Sequence, residues 1–487
     1  MSRNKPSNII GKGSFGTVLR LGNNKVEKRS NWLSFEPDDA FIVDNTLREA
    51  AFYQSIKRMK NSSHQPFHFS KNLPESISNL ADITRTDEVF TFNQDYLGVC
   101  LSNFSLRKKS ELWTIVYQIA QALDWFQQNN LSHGDLKPDN ILVRIEDEKI
   151  KASIIDFGSV CFFHSQKLNY HKSRCTLIYC SPEELDKNQY SIQNDIWSLG
   201  TIIFELVTGK IFAAEVFRSF GIDEDIIHIF INGKHGQTKV DFPSFLNSIY
   251  SQLNFSNINA IVQHHVKDQY TQHIVLHCLL KDPEIRITPS RLIGDLINSK
   301  KVNQIESSPK VGPENIIEPF ELVEYQLMNH KDKMNVDLRK SCLIHFKHYI
   351  DTGFSPQVLG HSVMLFDRFN FRFGEKIDHL PFDVITFIFL TISSSILLGK
   401  TYSISKLARK VGITRKDFIN YYGVIIDLLG WQLFNLSPDL IVLTKIDRLP
   451  PVSVQMKVYE KYVVNSQTSE KLAERILDEM KNDEKKS

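Results

Sequence analysis

The stretch "HGDLKPDNILV", residues 133–143, decides how this chain is read. It sets a carboxylate at Asp135, an ammonium at Lys137 and a carboxamide at Asn140, with the uncharged Gly134 just before Asp135. Asp135 is placed to accept or orient a hydroxyl proton. Lys137 offsets negative charge on a group in transfer, and Asn140, five positions after Asp135, holds a divalent metal. Downstream, "IIDFGS" supplies a second metal ligand, Asp156, after an apolar strand.

Upstream, "IIGKGSFGTV" at 9–18 gives Gly11, Gly13 and Gly16, then Val18. Glycines let backbone N–H groups approach phosphates without a Cβ in the way. "TVLRLGNNKVEKRS" reads as a hairpin whose second strand carries Val26 and Lys28 on one face. A lysine beside phosphates needs a carboxylate to position it, and the helical "NTLREAAFYQSIKR" offers Glu49. Read singly, Lys28 is one more solvated lysine and Glu49 a surface carboxylate. Read in order, the set suffices for phosphoryl transfer, which needs mostly positioning and charge neutralisation.

Together these residues make 5–298 resemble a eukaryotic protein kinase domain. "SPEEL" stands for the family's Ala-Pro-Glu with Glu183, "NDIWSLG" carries Asp195, and Arg286 in "DPEIRI" matches the arginine that pairs with that glutamate. The resemblance implies an α+β two-lobed kinase fold with ATP and Mg2+ between the lobes. Ile10, Gly11, Gly13, Gly16, Val18, Lys28, Glu49 and Leu101 fall on the nucleotide side, Asp135 and Lys137 at the catalytic positions, and Asn140 and Asp156 at the metal. Lys137 and Thr176 favour serine/threonine substrates by family pattern.

"LREAAFYQSIKR" resembles the Ile-Arg-Glu helix of cyclin-dependent kinases, and residues 212–283 look like that group's insertion. Cys180 replaces an arginine before Ser-Pro-Glu, which puts proline-directed substrate choice in doubt. In that group three arginines hold an activation-segment phosphothreonine. Here Arg48 survives, while the other two positions are Gly134 and Cys161 and the threonine position is His171. A buried arginine cluster without its phosphate lacks a counter-charge, and losing both sides removes that cost. The expectation is activity that does not depend on activation-segment phosphorylation. Ser173, with Arg48, Lys172 or Arg174, is the alternative. Phe15 replaces an inhibitory tyrosine, and Ser14 remains modifiable.

The last third resembles a cyclin box over 320–445. "LRKSCLIHFKHYI" and "VLGHSVMLFDRFNFR" stand for its first two helices, with Arg339 and Asp367 matching a buried Arg–Asp pair. "VITFIFLTISSSILL" would be the central buried helix, and "FINYYGVIIDLLGWQLFNLSPDLIV" the helix and turn that follow. The family's kinase-contacting Lys–Glu pair appears as Ser395 and Tyr422, so different kinase contacts are expected; its substrate-docking surface reads Leu338 to Cys342, which puts short-motif substrate docking in doubt. The fold expected is a kinase followed by an all-α cyclin-like helical domain. Residues 299–319 read as a linker and 446–487 as a tail with an amphipathic helix, its charged end frayed. Such a linker spans about 25 Å and sets an effective concentration on the order of millimolar. An intramolecular contact between kinase and cyclin box is therefore expected, while docking to a second copy as a dimer stays open. So do a scaffold with weak catalysis, and a C-terminal region that only recruits.

At 487 residues the chain is long enough for two or three domains. A net charge of +2 gives no call for nucleic acid or an acidic membrane, so the expected partner is a protein substrate. The six cysteines (100, 161, 175, 180, 278, 342) contain no Cys-x-x-Cys, which argues against a disulfide framework or zinc site and fits a reducing interior, cytoplasm or nucleus. No signal peptide is seen in "MSRNKPSNII", and the apolar run at 384–399 is too short to span a bilayer, reading instead as a buried core helix.

Overall fold

In β1 (Ile9–Gly13), β2 (Gly16–Leu21) and β3 (Lys25–Asn31) the chain opens an antiparallel sheet. A computed structural model describes residues 9–13, 16–22, 24–31, 33–36, 39–42, 44–61, 73–78, 80–86, 89–162, 175–187, 191–233, 240–302, 335–373, 381–400, 402–430, 433, 437–446, 448–462 and 469–484. The β2–β3 hairpin closes at Leu21 opposite Lys25, with Asn24 in the left-handed region that asparagine tolerates. Gly16 is dictated by proximity: a Cβ there would lie 2.2 Å from the Arg29 carbonyl oxygen.

A ribbon, β4 (Leu33–Glu36) with β5 (Asp39–Ile42), leads into helix α1 (Asp44–Asn61). Strands β6 (Leu80–Arg85) and β7 (Val89–Asp95) complete the sheet in the order β1-β2-β3-β7-β6. Along β7 the alternation buries Phe90, Phe92 and Gln94. α1 is buried nearly all round, through Leu47, Ala50, Ala51, Phe52, Tyr53 and Ile56. A helix buried on every side needs cover on more than one face.

Two compact units divide the chain. One comprises Met1–Lys71, Asn79–Tyr96 and Pro313–Ser487; the other comprises Asn72–Ser78 and Leu97–Gly312. The second contains β8 (Val99–Cys100), α2 (Lys109–Gln128), β9 (Leu131–Ser132), β10 (Ile141–Glu146), β11 (Lys149–Ile154) and β12 (Cys161–Phe162). Helices α3 (Pro182–Lys187), α4 (Ile192–Thr208), α5 (Phe212–Ser219), α6 (Glu224–Ile231), α7 (Phe242–Gln252), α8 (Phe255–His265), α9 (Gln269–Cys278) and α10 (Pro289–Asn298) follow. Ser191 and Asn194 form a capping box at the start of α4, and Gly209 ends it with φ +68°. Gly200 brings α4 against α9, since a Cβ there would lie 2.6 Å from the Cys278 Cβ.

The first unit resumes with α11 (Val336–Asp351), α12 (Leu359–Phe373), α13 (Phe382–Leu398), α14 (Ile404–Lys410), α15 (Arg415–Leu428), α16 (Pro438–Ile446), α17 (Val452–Lys461) and α18 (Ser469–Glu484). α13 is buried from Val384 to Leu398. Its hydroxyls are accommodated inside: Thr391 donates to the Phe387 carbonyl, and Ser393 sits 2.8 Å from His361 Nδ1. Among the described residues no single helix is long and apolar enough to cross a membrane. Arg339 and Asp367 form a buried bidentate pair at 2.7 and 3.0 Å, and Arg339 also donates to the Tyr462 carbonyl.

Two sequence expectations need correction. The end of the tail is not frayed as far as Glu484: α18 buries Leu472, Ile476 and Met480, and Asp483 pairs with Lys457 at 2.8 Å. The cysteines are not all thiols either, because Cys175 and Cys180 are joined as a disulfide. The two lie five positions apart in sequence, wider than Cys-x-x-Cys, and a tight turn between them closes the gap. The linker reading at 299–319 and the start of the cyclin-like region at 320 fall largely on 303–334, outside the described residues.

Candidate active site

In the first unit, Lys28 stands on the central strand β3, opposite Phe92 of β7, with its ammonium 5.9 Å from that ring's centre. It donates to both carboxylate oxygens of Glu49 on α1, at 2.9 and 2.7 Å. Glu49 is only 3% exposed and Lys28 19%, so the pair is shielded from water and stronger than a surface ion pair. Val26 is buried on the same strand, whereas Ile10 is 48% exposed and Val18 and Gly11 are half-buried. Gly13 pairs with Gly16 across the β1–β2 turn. Ser14 and Phe15 lie outside the described residues.

Arg48, beside Glu49, is fully buried and donates from Nη2 to the Ser395 carbonyl at 2.5 Å. That oxygen lies in the last turn of α13, where it also accepts the Gly399 N–H at 3.2 Å. A helix C-terminus carries partial negative charge and under-bonded carbonyls, so a buried guanidinium is well matched there. A second bridge joins β6 to α15: Arg85 donates to Asp427 at 2.6 Å, its guanidinium lying over Gly423, where a Cβ would come within 2.5 Å.

In the second unit the 133–143 loop is held from below by Asp195. This fully buried carboxylate accepts the His133 N–H at 2.7 Å, the Gly134 N–H at 3.0 Å and the Ser132 hydroxyl at 3.0 Å. Burial pushes the Asp195 carboxyl up, and those donors oppose the rise. Gly134 has φ +75°, and a Cβ would lie 2.7 Å from the Ser159 carbonyl oxygen. Its glycine therefore has a local reason besides the missing arginine: any side chain is strained there. His133 packs edge-on against Phe157 and bonds the Ile155 carbonyl at 3.0 Å.

Asp135 and Lys137 meet at 2.7 Å, and both bind Thr176. Its hydroxyl donates to Asp135 Oδ1 at 2.7 Å and accepts from Lys137 at 2.8 Å, while its N–H donates to Asp135 Oδ1 at 2.9 Å. Asn140 donates from Nδ2 to the Asp135 carbonyl at 2.8 Å, which leaves its amide oxygen for a cation. The β10–β11 ladder places Asn140 beside Asp156: Ile141 faces Ile154, and the Ile155 N–H donates to the Asn140 carbonyl at 2.9 Å. Asp156 holds left-handed φ/ψ of 63° and 68°, unusual for a non-glycine residue. Two hard oxygen donors on adjacent backbone fit Mg2+. Leu101 is buried in a short 3-10 turn, Leu101–Asn103, after β8.

Glu183 forms a bidentate pair with the buried Arg286 at 2.6 and 3.1 Å. Cys161 is buried on β12, while His171 and Ser173 lie outside the described residues. Sequence reasoning missed Arg85–Asp427, the Cys175–Cys180 bond and the carbonyl of Ser395. Ser395 already stood at the cyclin family's kinase-contacting position, but the bond is made by its backbone carbonyl, which the identity of the side chain does not announce.

Compared with known families, residues 5–296 match the protein kinase domain. The dual specificity tyrosine-phosphorylation-regulated kinase 3 of Macaca fascicularis is 29% identical over 225 residues, 42% of this chain and 34% of that protein. The Homo sapiens protein of that name is 29% identical over the same length, covering 33% of it. The inhibitor of nuclear factor kappa-B kinase subunit beta of Bos taurus is 27% identical over 216 residues, 41% of this chain and 26% of that protein. The chain thus spans about a third or less of the curated relatives it matches.

Proposed function

The chain belongs to the protein kinase family, and from that premise we propose a serine/threonine kinase held active in cis by a cyclin-like domain. The donor would be ATP, and a bound Mg2+ would supply neutralisation of its phosphate charge. Asn140 and Asp156 would hold the metal, and Lys28, braced by Glu49, would hold phosphate oxygens. Asp135 orients the acceptor hydroxyl and takes its proton, and Lys137 offsets charge on the group in transfer. The Thr176 hydroxyl, bonded to both Asp135 and Lys137, supports a serine or threonine acceptor.

The observation that carries the regulatory part is the Arg48 to Ser395 bond. It gives the α1 arginine a backbone partner on α13 that carries no phosphate. The buried Arg339–Asp367 pair and the enclosed α13 support the cyclin-like reading of 320–445. The test is transfer of labelled phosphate from ATP to a generic protein substrate by the full chain. Wild type is expected to be active, and Asp135→Asn and Lys28→Met to lose at least 100-fold. Equal, weak signals from all three would leave a scaffold as the better account.

A further inference from the structure

Residues 175–180, "CTLIYC", fold into a 3-10 turn, Leu177–Tyr179. The Tyr179 N–H donates to the Thr176 carbonyl at 2.8 Å and the Cys180 N–H to the Leu177 carbonyl at 3.3 Å. This turn brings Cys175 and Cys180 to a Cα separation of 5.5 Å, ordinary for a disulfide, and the bond is closed. Cys175 is half-buried, while Cys180 is fully buried. Helix α3 then supplies Glu184, 1% exposed, whose carboxylate oxygen lies with both sulfurs inside 4.8 Å. Its Oε1 has no hydrogen-bond partner among the described residues. A buried carboxyl beside sulfur, with an unbonded oxygen, calls for an explanation that packing does not supply.

We propose that Cys175 and Cys180 form a reversible dithiol–disulfide site, served by Glu184 as proton carrier and oxidised by a hydroperoxide. In the forward reaction the Cys175 thiolate attacks a peroxide oxygen. The O–O bond breaks, Cys175 becomes a sulfenic acid, and the hydroxide released takes up the thiol's proton as water. The Cys180 sulfur then attacks the Cys175 sulfur and the S–O bond breaks. Glu184 gives its proton to the departing hydroxide and receives the proton of the Cys180 thiol. Two thiols and one hydrogen peroxide yield one disulfide and two waters, and Glu184 ends as it began. The carboxyl is suited to hold that proton. Burial first, then the charges of Glu183, Asp195 and Asp135, push it well above the usual carboxylate range, against the Ser181 N–H that lowers it. Arg286 is committed to Glu183.

The bond brackets Thr176, the residue hydrogen-bonded to Asp135 and Lys137. Closing it restricts the turn that presents Thr176, so oxidation keeps that residue on the catalytic pair and reduction loosens it. This consequence rests on the kinase reading; the thiol chemistry does not.

The test uses the full chain, reduced with dithiothreitol, desalted and exposed to hydrogen peroxide between pH 6 and 8.5. Thiols are alkylated at intervals and the 175–180 peptide is followed by mass. The wild type is expected to close the Cys175–Cys180 bond faster than Cys100 oxidises, and to reopen with dithiothreitol. Cys180→Ser should stop at a sulfenic acid on Cys175 that dimedone traps. Glu184→Gln, nearly isosteric, should slow closure at least tenfold at pH 6–7, with its fold confirmed by unfolding. Failure of the wild type to close, or closure by Glu184→Gln at the wild-type rate, overturns the proposal. So does stoichiometric zinc binding that protects both reduced thiols, which would make the cluster a metal site. Phosphate transfer is then compared in the two states, with a several-fold loss expected on reduction. Unchanged activity overturns the link to Thr176, whereas no activity in either state counts against the kinase reading and leaves the thiol site standing.

Discussion

Arg48 and Glu49 are neighbours on one helix with different partners: Glu49 holds Lys28 at 2.7 Å, and Arg48 donates to the carbonyl of Ser395 at 2.5 Å. Successive helical residues point about 100° apart, so one turn of α1 engages the β-sheet and α13 at once. Whatever fixes Arg48 therefore fixes the rotation that presents Glu49. This couples the C-terminal helices to the Lys28–Glu49 pair within a single compact unit.

The second bridge should be weaker. Asp427 is 45% exposed and Arg85 13%, so solvent screens their attraction. A double-mutant cycle of Arg85→Ala and Asp427→Ala on full-chain unfolding should give a coupling of about 0.5–1 kcal/mol. A coupling indistinguishable from zero would remove the pair from the account.

At Gly134 the backbone is left-handed and the Ser159 carbonyl stands where a Cβ would go. Gly134→Ala should destabilise the protein by roughly 1–3 kcal/mol in denaturant unfolding. Gly134→Arg should cost at least as much and should not create a requirement for activation-segment phosphate. An unchanged midpoint would show that the loop adjusts without strain.

Acid should act through His361. The imidazole is fully buried between the Ser393 hydroxyl and the Leu433 carbonyl, and burial pushes its pKa down to about 4. An unfolded histidine titrates near 6.5, so between those values the unfolded chain binds more protons and stability rises with pH. The contribution is complete above about pH 6.5 and is lost as pH falls toward 4, by about 3 kcal/mol in all. Asp439 opposes it: its carboxyl is pushed up to about 6 by burial, so its share falls as pH rises through that range. The readout is the difference in unfolding free energy between wild type and His361→Gln across pH 4–7. A difference independent of pH would contradict the assignment.

Much of the site was legible because its chemistry needs side chains at fixed spacing. Asp135, Lys137 and Asn140 converge through one loop, and Lys28 and Glu49 through one hairpin and one helix. The hidden alternation in β7 and the apolar run of α13 follow from burial that any strand or core helix requires. What stayed illegible depends on backbone groups and on turns. Ser395 acts through its carbonyl, which every residue has. Cys175 and Cys180 meet only because the intervening residues coil as a 3-10 turn. Gly134 could be read as a missing arginine, but its positive φ and the approach of Ser159 are visible only in three dimensions.

The proposed independence from activation-segment phosphate stands or falls with the Arg48 to Ser395 bond. The most direct test is phosphate transfer by the phosphatase-treated full chain beside the same preparation of Arg48→Ala. Wild type is expected to be active, and the variant to stay folded but lose about tenfold to a hundredfold, as expected for removing a buried charged hydrogen bond of about 1.5–3 kcal/mol. A wild type inactive until its activation segment is phosphorylated, or an Arg48→Ala variant of full activity, would contradict that expectation.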